Sequence, residues 1–245
     1  MTALAGQVAV VSGASRGIGA AAAAALAGEG AFVVRLARSL APHRGPHGAD
    51  LRCDLADPDA VAGACTAILE AHGTPGVVVS NAGAFLLRPF EDTSVADLDH
   101  QLGVNLRGAF ALARGLLPAM RAAGRGTYLH VGSVADHRAF PGNTAYAASK
   151  FALRGLHEVL VEEYRGSGVR CTLLSPGPTD TTAWDPVDLD RTPGLTPRAR
   201  MLGPGDVGEA VRWLATRPPH VHVEWLVLGP AGGERGAGSG EREGS

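Results

Sequence analysis

The stretch QVAVVSGASRGIGAAAAAALAGEG, Gln7 to Gly30, decides the fold. Gln7 to Ser12 is β-branched and apolar and reads as a strand, Ser12 to Gly19 is a glycine-rich turn, and the alanine run after it is an almost pure helix former. Strand, loop and helix in that order open a βαβ unit. Glycines at such a junction permit positive φ and close backbone approach, while the helix amino terminus offers unpaired N–H groups and a positive dipole end to a pyrophosphate. In a chain with 34 glycines the pattern alone is weak, since a plain tight turn needs the same residues. Its place between strand and helix favours binding. Gly13, Gly17 and Gly19 give GxxxGxG, which differs from the GxGxxG of many dinucleotide domains.

The same rhythm runs outward along the chain. FVVRLA from Phe32, LRCD from Leu51, a helical stretch from Asp57 to Ala71 and VVVS from Val77 continue it. A helical region around Asp97 to Ala123 leads into TYLHVGS, another from Thr144 to Arg165 leads into VRCTLLS, and VGEAVRWLA leads into VHVEWLVLG. Seven strands with continuous rather than alternating hydrophobicity predict an α/β fold: one doubly wound Rossmann domain, a seven-stranded, mostly parallel sheet with helices on both faces. Two segments break the pattern. APHRGPHG before Ala49 is too rich in Pro and Gly for a helix, and Thr179 to Pro204 is long enough to be a functional lid.

The 245 residues, 45% hydrophobic and 19% charged, with no Pro/Gly/Ser-rich break in the middle, fit one domain over residues 1–230. The remainder, 231–245, has almost nothing to bury and is expected to be a disordered tail. A formal charge of -2 argues against a nucleic-acid partner. There is no apolar run of membrane-spanning length and no signal-peptide pattern at the amino terminus, so a cytoplasmic location is expected. Cys53, Cys65 and Cys171 have no metal-like spacing and read as small buried hydrophobes, and the nine scattered histidines give no reason to expect a metal. Asn81, Asn105 and Asn143 are the only asparagines, with turn or cap roles as the ordinary explanation. Of 22 basic residues, Lys150 alone is lysine.

These motifs resemble the classical short-chain dehydrogenase/reductase family over about Leu4 to Pro230. In that family the phosphate loop reads TGxxxGIG with serine a common first residue, as in SGASRGIG here. The resemblance implies that Gly13, Ser15, Arg16, Gly17, Ile18 and Gly19 bind the cofactor pyrophosphate region, that Asp54 and Leu55 meet the adenine, and that Asn81, Ala82 and Gly83 form the NAG turn. It also implies that SPGPTDT places Pro176, Gly177, Thr179 and Thr181 at the nicotinamide carboxamide, with Thr179 standing where valine is common. No acid ends the second strand; Ala37 takes that place, and Arg38 follows it, with Arg16 in the loop. A 2′-phosphate requires cations, so this pair resembles the branch that prefers NADP over NAD. Arg35, inside the strand, must reach the sheet edge or a partner.

YAASK, Tyr146 to Lys150, sits in a helical stretch, where a spacing of four puts both side chains on one face. Lysine's compact charge can lower a phenol's pKa while donating to a ribose diol, which arginine's fork suits less well. Carbonyl reduction needs a proton delivered to the nascent alkoxide, and Tyr146 with a depressed pKa is the expected acid/base. By resemblance, Ser133 hydrogen-bonds the substrate oxygen and Asn105, in VNLRGAF, kinks a helix and positions a water beside Lys150; both are also ordinary as backbone-satisfying polar residues. A substrate pocket is implied around Phe85, Ala135, Asp136, His137 and Trp184, and with Arg138 its polar rim slightly favours a polar or carboxylated carbonyl compound. The expected activity is NADP(H)-dependent ketone reduction in a homo-tetramer or homo-dimer. A 3-oxoacyl thioester reductase, an alcohol dehydrogenase and a catalytically silent dinucleotide-sensing protein are the alternatives.

Overall fold

The computed structural model describes residues 2–189, 192 and 194–231. The expected tail from residue 232 onward lies outside the described residues. One sheet of eight strands runs in the order β3-β4-β2-β1-β5-β6-β7-β8. Its members are β1 (Val8–Ser12), β2 (Phe32–Ala37), β3 (His43–Gly45), β4 (Gly48–Arg52), β5 (Val77–Ser80), β6 (Gly126–Val131), β7 (Val169–Pro176) and β8 (Trp225–Leu228). Every pairing is parallel except β3 with β4.

The eighth strand corrects the expected count of seven. APHRGPHG, read as a break in the pattern too rich in Pro and Gly for a helix, contributes β3 to a tight antiparallel hairpin in which Arg44 faces Ala49 and Gly45 faces Gly48. Its three residues are too few to show any periodicity. At the other edge, VHVEWLVLG forms a strand only over Trp225–Leu228.

Helices α1 (Gly17–Gly28), α2 (Pro58–His72), α3 (Val95–Leu102), α4 (Ala109–Ala122), α5 (Thr144–Glu163) and α6 (Pro204–Ala215) cover both faces. Alternation along the strands divides the core in two. Ala9 and Val11 of β1 face one way, with Val77 and Val79 of β5, into a layer closed by Ala22 and Leu26 of α1 and Val207 and Val211 of α6. Val10, Val34 and Val78 face the other way, against Ile68, Leu112 and Leu116. Strands buried on both faces explain the continuous apolar runs. The three cysteines are buried and unpaired, and burial pushes their thiols up to about 11 or 12, as suits small core residues.

Arg35 finds its partner across the sheet. It stands opposite Asp50 in the β2–β4 register, and Nε and one terminal nitrogen each donate to a carboxylate oxygen at 2.6 Å. This bidentate pair raises the arginine pKa further and neutralises a charge that would otherwise sit inside a strand. No helix among the described residues is long and apolar enough to cross a membrane, and no group of three His, Cys, Asp or Glu side chains among them could hold a metal ion.

Candidate active site

Parallel strands all end on the same side, so the loops after β1, β5, β6 and β7 converge at their carboxyl ends. A cavity of about 310 Å3 opens there. Gly13, Arg16, Gly17 and Ile18 from the glycine loop line one wall, Asn81, Ala82 and Gly83 another, and Pro176, Gly177, Thr179 and Thr181 a third. Gly13 and Gly17 take φ of 67° and 57°. A side chain on Gly13 would come within 2.8 Å of the Ala82 Cα, and one on Gly19 would collide with the Gly13 carbonyl oxygen. The loop after β5 is clamped to the loop after β1: Ser12 Oγ accepts from the N–H groups of Asn81 and Ala82, each at 3.0 Å, while Asn81 Nδ2 donates to the Ser12 carbonyl at 2.9 Å.

Some of the expected cofactor residues lie off the cavity lining. Gly19 is buried beneath the loop and Ser15 is exposed. Arg38 is exposed beyond the end of β2. Asp54 Oδ1 accepts from the Ala56 N–H at 3.0 Å, in a local turn, and Leu55 packs in the core. Arg16 and Arg38 have no ion-pair partner among the described residues.

Ser133, Tyr146 and Lys150 line the same cavity. Lys150 is buried, donates to the Val131 carbonyl at 3.0 Å, and lies 5.8 Å from the centre of the Tyr146 ring. Burial pulls Lys150 down to about 8, opposed by the Asp136 carboxylate. The expected depression of the Tyr146 phenol is not what the protein frame produces. Burial pushes it up to about 12; the Ser133 hydroxyl lowers it, and the Asp136 charge raises it. Desolvation is the largest cause, and burial has also biased the neighbouring Lys150 toward neutrality.

Asn105 sits inside a π-helical turn, Gly103–Gly108, between α3 and α4. The extra residue in that turn swings its amide inward. Oδ1 accepts from the Ala84 N–H at 2.7 Å, and Nδ2 donates to the Ala84 carbonyl at 3.0 Å and Ser149 Oγ at 2.8 Å. It thereby ties the loop after β5 to the helix that carries Tyr146 and Lys150.

The expected polar rim requires correction. Phe85, Ala135 and Trp184 line the cavity, but Asp136 and His137 do not. Asp136 is fully buried behind Ser133, where Oδ2 accepts from Ser175 Oγ at 2.5 Å and from the Ser133 N–H at 3.2 Å. Oδ1 lies 2.6 Å from His137 Nδ1, and the His137 ring packs edge-on against Trp225. Arg138 is exposed. Sequence reasoning missed Leu87, Val134, Phe140, Asn143 and Leu195, which complete the outer wall. Asn143 carried a sequence signal through the scarcity of asparagine, and Leu195 through its place in the long segment 179–204.

Residues 7–192 match the short chain dehydrogenase family. The chain is 35% identical over 225 residues to D-threitol dehydrogenase of Mycolicibacterium smegmatis, covering 86% of each chain. A metagenomic short-chain oxidoreductase solved in complex with NADP superposes with a TM-score of 0.77 at 33% identity, over 92% of this chain and 97% of that one. An alcohol dehydrogenase from the archaeon Thermococcus sibiricus, complexed with 5-hydroxy-NADP, superposes with a TM-score of 0.81 at 30% identity over the same shares, 92% and 97%. With the strand order and the loop convergence described above, these likenesses place the chain in the short chain dehydrogenase family of oxidoreductases.

Proposed function

We propose that this protein is an NADP(H)-dependent ketone reductase in which Tyr146 is the acid/base. The observation that carries the reading is the convergence of Ser133, Tyr146 and Lys150 on a cavity whose opposite wall is the glycine loop at the amino end of α1. That wall suits a dinucleotide. Gly13 and Gly19 leave no room for side chains, the dipole of α1 points at the gap, and Arg16 and Arg38 offer guanidinium groups with no ion-pair partner among the described residues to a 2′-phosphate. Lys150 would donate to the ribose hydroxyls, and Thr179 and Thr181 would hold the carboxamide. The bound nicotinamide supplies the hydride. Two of the similar solved structures carry NADP or 5-hydroxy-NADP, which supports the same choice here.

Burial keeps the Tyr146 phenol protonated, and a protonated phenol is a donor. Tyr146 Oη gives its proton to the substrate oxygen as that oxygen becomes an alkoxide, and the Ser133 hydroxyl donates a hydrogen bond to the same atom. Lys150 Nζ stands behind the phenol to restore the proton. Asn105 is a positioning residue, holding the loop after β5 against α5. The protonated phenol is the form that reduction uses, and alcohol oxidation uses the ionised one. Relatives named as dehydrogenases keep that direction as the second reading.

The test is steady-state oxidation of NADPH and NADH with ketones and acyl thioesters, run beside oxidation of alcohols. NADPH-dependent ketone reduction that Tyr146→Phe abolishes is expected. Thioester reduction alone would convert the assignment to a 3-oxoacyl reductase, and tight NADPH binding without any turnover would make it a nucleotide sensor. Assembly as a homo-dimer or homo-tetramer is supported by Phe110 on α4 and by Phe151 and Val159 on α5, which leave apolar side chains half exposed. Sedimentation analysis checks it.

A further inference from the structure

Phe85, Leu87, Val134, Phe140, Trp184 and Leu195 line the cavity that holds Tyr146 with apolar side chains. Phe85 meets the Tyr146 ring edge-on at 5.1 Å and the Trp184 ring at 4.7 Å, so three aromatic rings are in contact in series beginning at the reacting residue. Among the described residues, the charged groups on the cavity lining are Arg16, in the glycine loop, and Lys150, behind Tyr146. Asp136 is turned into the protein and spent on Ser175, Ser133 and His137. A carboxylate entering this half would lose its hydration and meet no cation among the described lining residues, and a polyol would bury hydroxyls against hydrocarbon.

Polar side chains also line this part, Thr182 and Thr196 beside Trp184 and Leu195, and Asn143 near Tyr146. Asn143, three residues before Tyr146, is 8% exposed, and its buried Oδ1 has no hydrogen-bond partner. It makes no capping bond to α5 either. A buried amide oxygen left unpaired is costly; Asn143 lines the cavity, and a half-turn of its amide would bring Oδ1 to a ligand hydroxyl able to donate to it.

Resting on the reading of this cavity as a carbonyl-reducing site, we propose that its substrate is an uncharged ketone bearing an aryl arm, packed against Phe85 and Trp184, and one hydroxyl near the carbonyl, paired with Asn143. Asn143 is the specificity-determining residue in this assignment.

The test compares four probes with NADPH: acetophenone, 2-hydroxyacetophenone, erythrulose and phenylglyoxylate. The expected kcat/KM is highest for 2-hydroxyacetophenone, with both aryl ketones at least about tenfold above erythrulose and phenylglyoxylate, and the hydroxylated one about tenfold above acetophenone. Asn143→Leu brings that last ratio close to one while NADPH affinity, measured by fluorescence titration, holds. Trp184→Ala, a second variant remote from the helix start, raises KM for both aryl ketones about tenfold with less effect on kcat. Faster turnover of erythrulose or phenylglyoxylate, or an Asn143→Leu protein that keeps the hydroxyl preference, leaves the functional reading standing and overturns the substrate class. Failure to reduce any of the four overturns the functional reading and the substrate class together.

Discussion

Asp136 Oδ2 accepts a hydrogen bond from Ser175 Oγ at 2.5 Å, with both residues wholly buried. Ser175 also accepts from Trp225 Nε1 at 2.9 Å, so β7, β8 and the loop after β6 are joined at one carboxylate behind Ser133. Gly132 leaves the room, since a Cβ there would collide with Oδ2. A buried carboxylate with three partners is geometrically well held, and its charge reaches both members of the proton-transfer pair.

Asp136→Asn is therefore expected to act on pH dependence more than on stability. An asparagine oxygen can still accept from Ser175 and Ser133, while its amide can face His137 Nδ1. The carboxylate raises the Tyr146 pKa, so removing its charge makes the phenol ionise at lower pH. Alcohol oxidation, which needs the ionised form, should show its rising limb displaced to lower pH. A kcat/KM profile that keeps its midpoint while losing amplitude would reduce Asp136 to a structural role.

Tyr146→Phe should lower kcat by about 10²–10⁴ while NADPH still stabilises the protein against heat, because the variant loses the proton donor and leaves the glycine loop intact. Lys150→Arg should damage both properties. Lys150 is 4% exposed and its ammonium is seated against the Val131 carbonyl, where a planar fork has no matching acceptors. Stopped-flow turnover and calorimetric binding separate the two effects.

Arg38→Ala should weaken NADPH binding by about 10- to 100-fold and leave NADH nearly unchanged, the worth of one or two charge-assisted contacts to a 2′-phosphate. Equal losses for the two nucleotides would remove Arg38 from the discrimination.

Acid should destabilise the fold through His130. Neither ring nitrogen of this fully buried residue has a partner, and burial, with His157 and Lys150 nearby, pushes it down to about 3 from an ordinary 6.5. Between those values the unfolded chain binds the proton and the folded one does not, so stability is complete above about pH 6.5 and is lost as pH falls toward 3. His130 alone should account for about 2 kcal/mol between pH 7 and pH 5. His157, also lowered by burial, acts in the same direction. Urea denaturation of His130→Leu should show a correspondingly shallower acid limb.

The alternation of strand and helix, the glycine turn between β1 and α1, and the shared helix face of Tyr146 and Lys150 are all legible in the chain before any folding. These are local properties, set by hydrophobic period, backbone freedom and a spacing of four residues. Tertiary structure decided what depends on distant partners. The β3–β4 hairpin exists because β4 also pairs with β2, and Arg35 is tolerable because that pairing sets Asp50 opposite it. Asp136 turns inward because Ser175, 39 residues later, is placed beside it by the β6–β7 pairing. Lacking that register, Asp136 and His137 read as a polar rim, and Leu87 and Phe140 carried no sign that their loops would meet the cavity beside Tyr146. Which side of a loop meets the cavity is fixed by strands far away in the chain, and no local period encodes it.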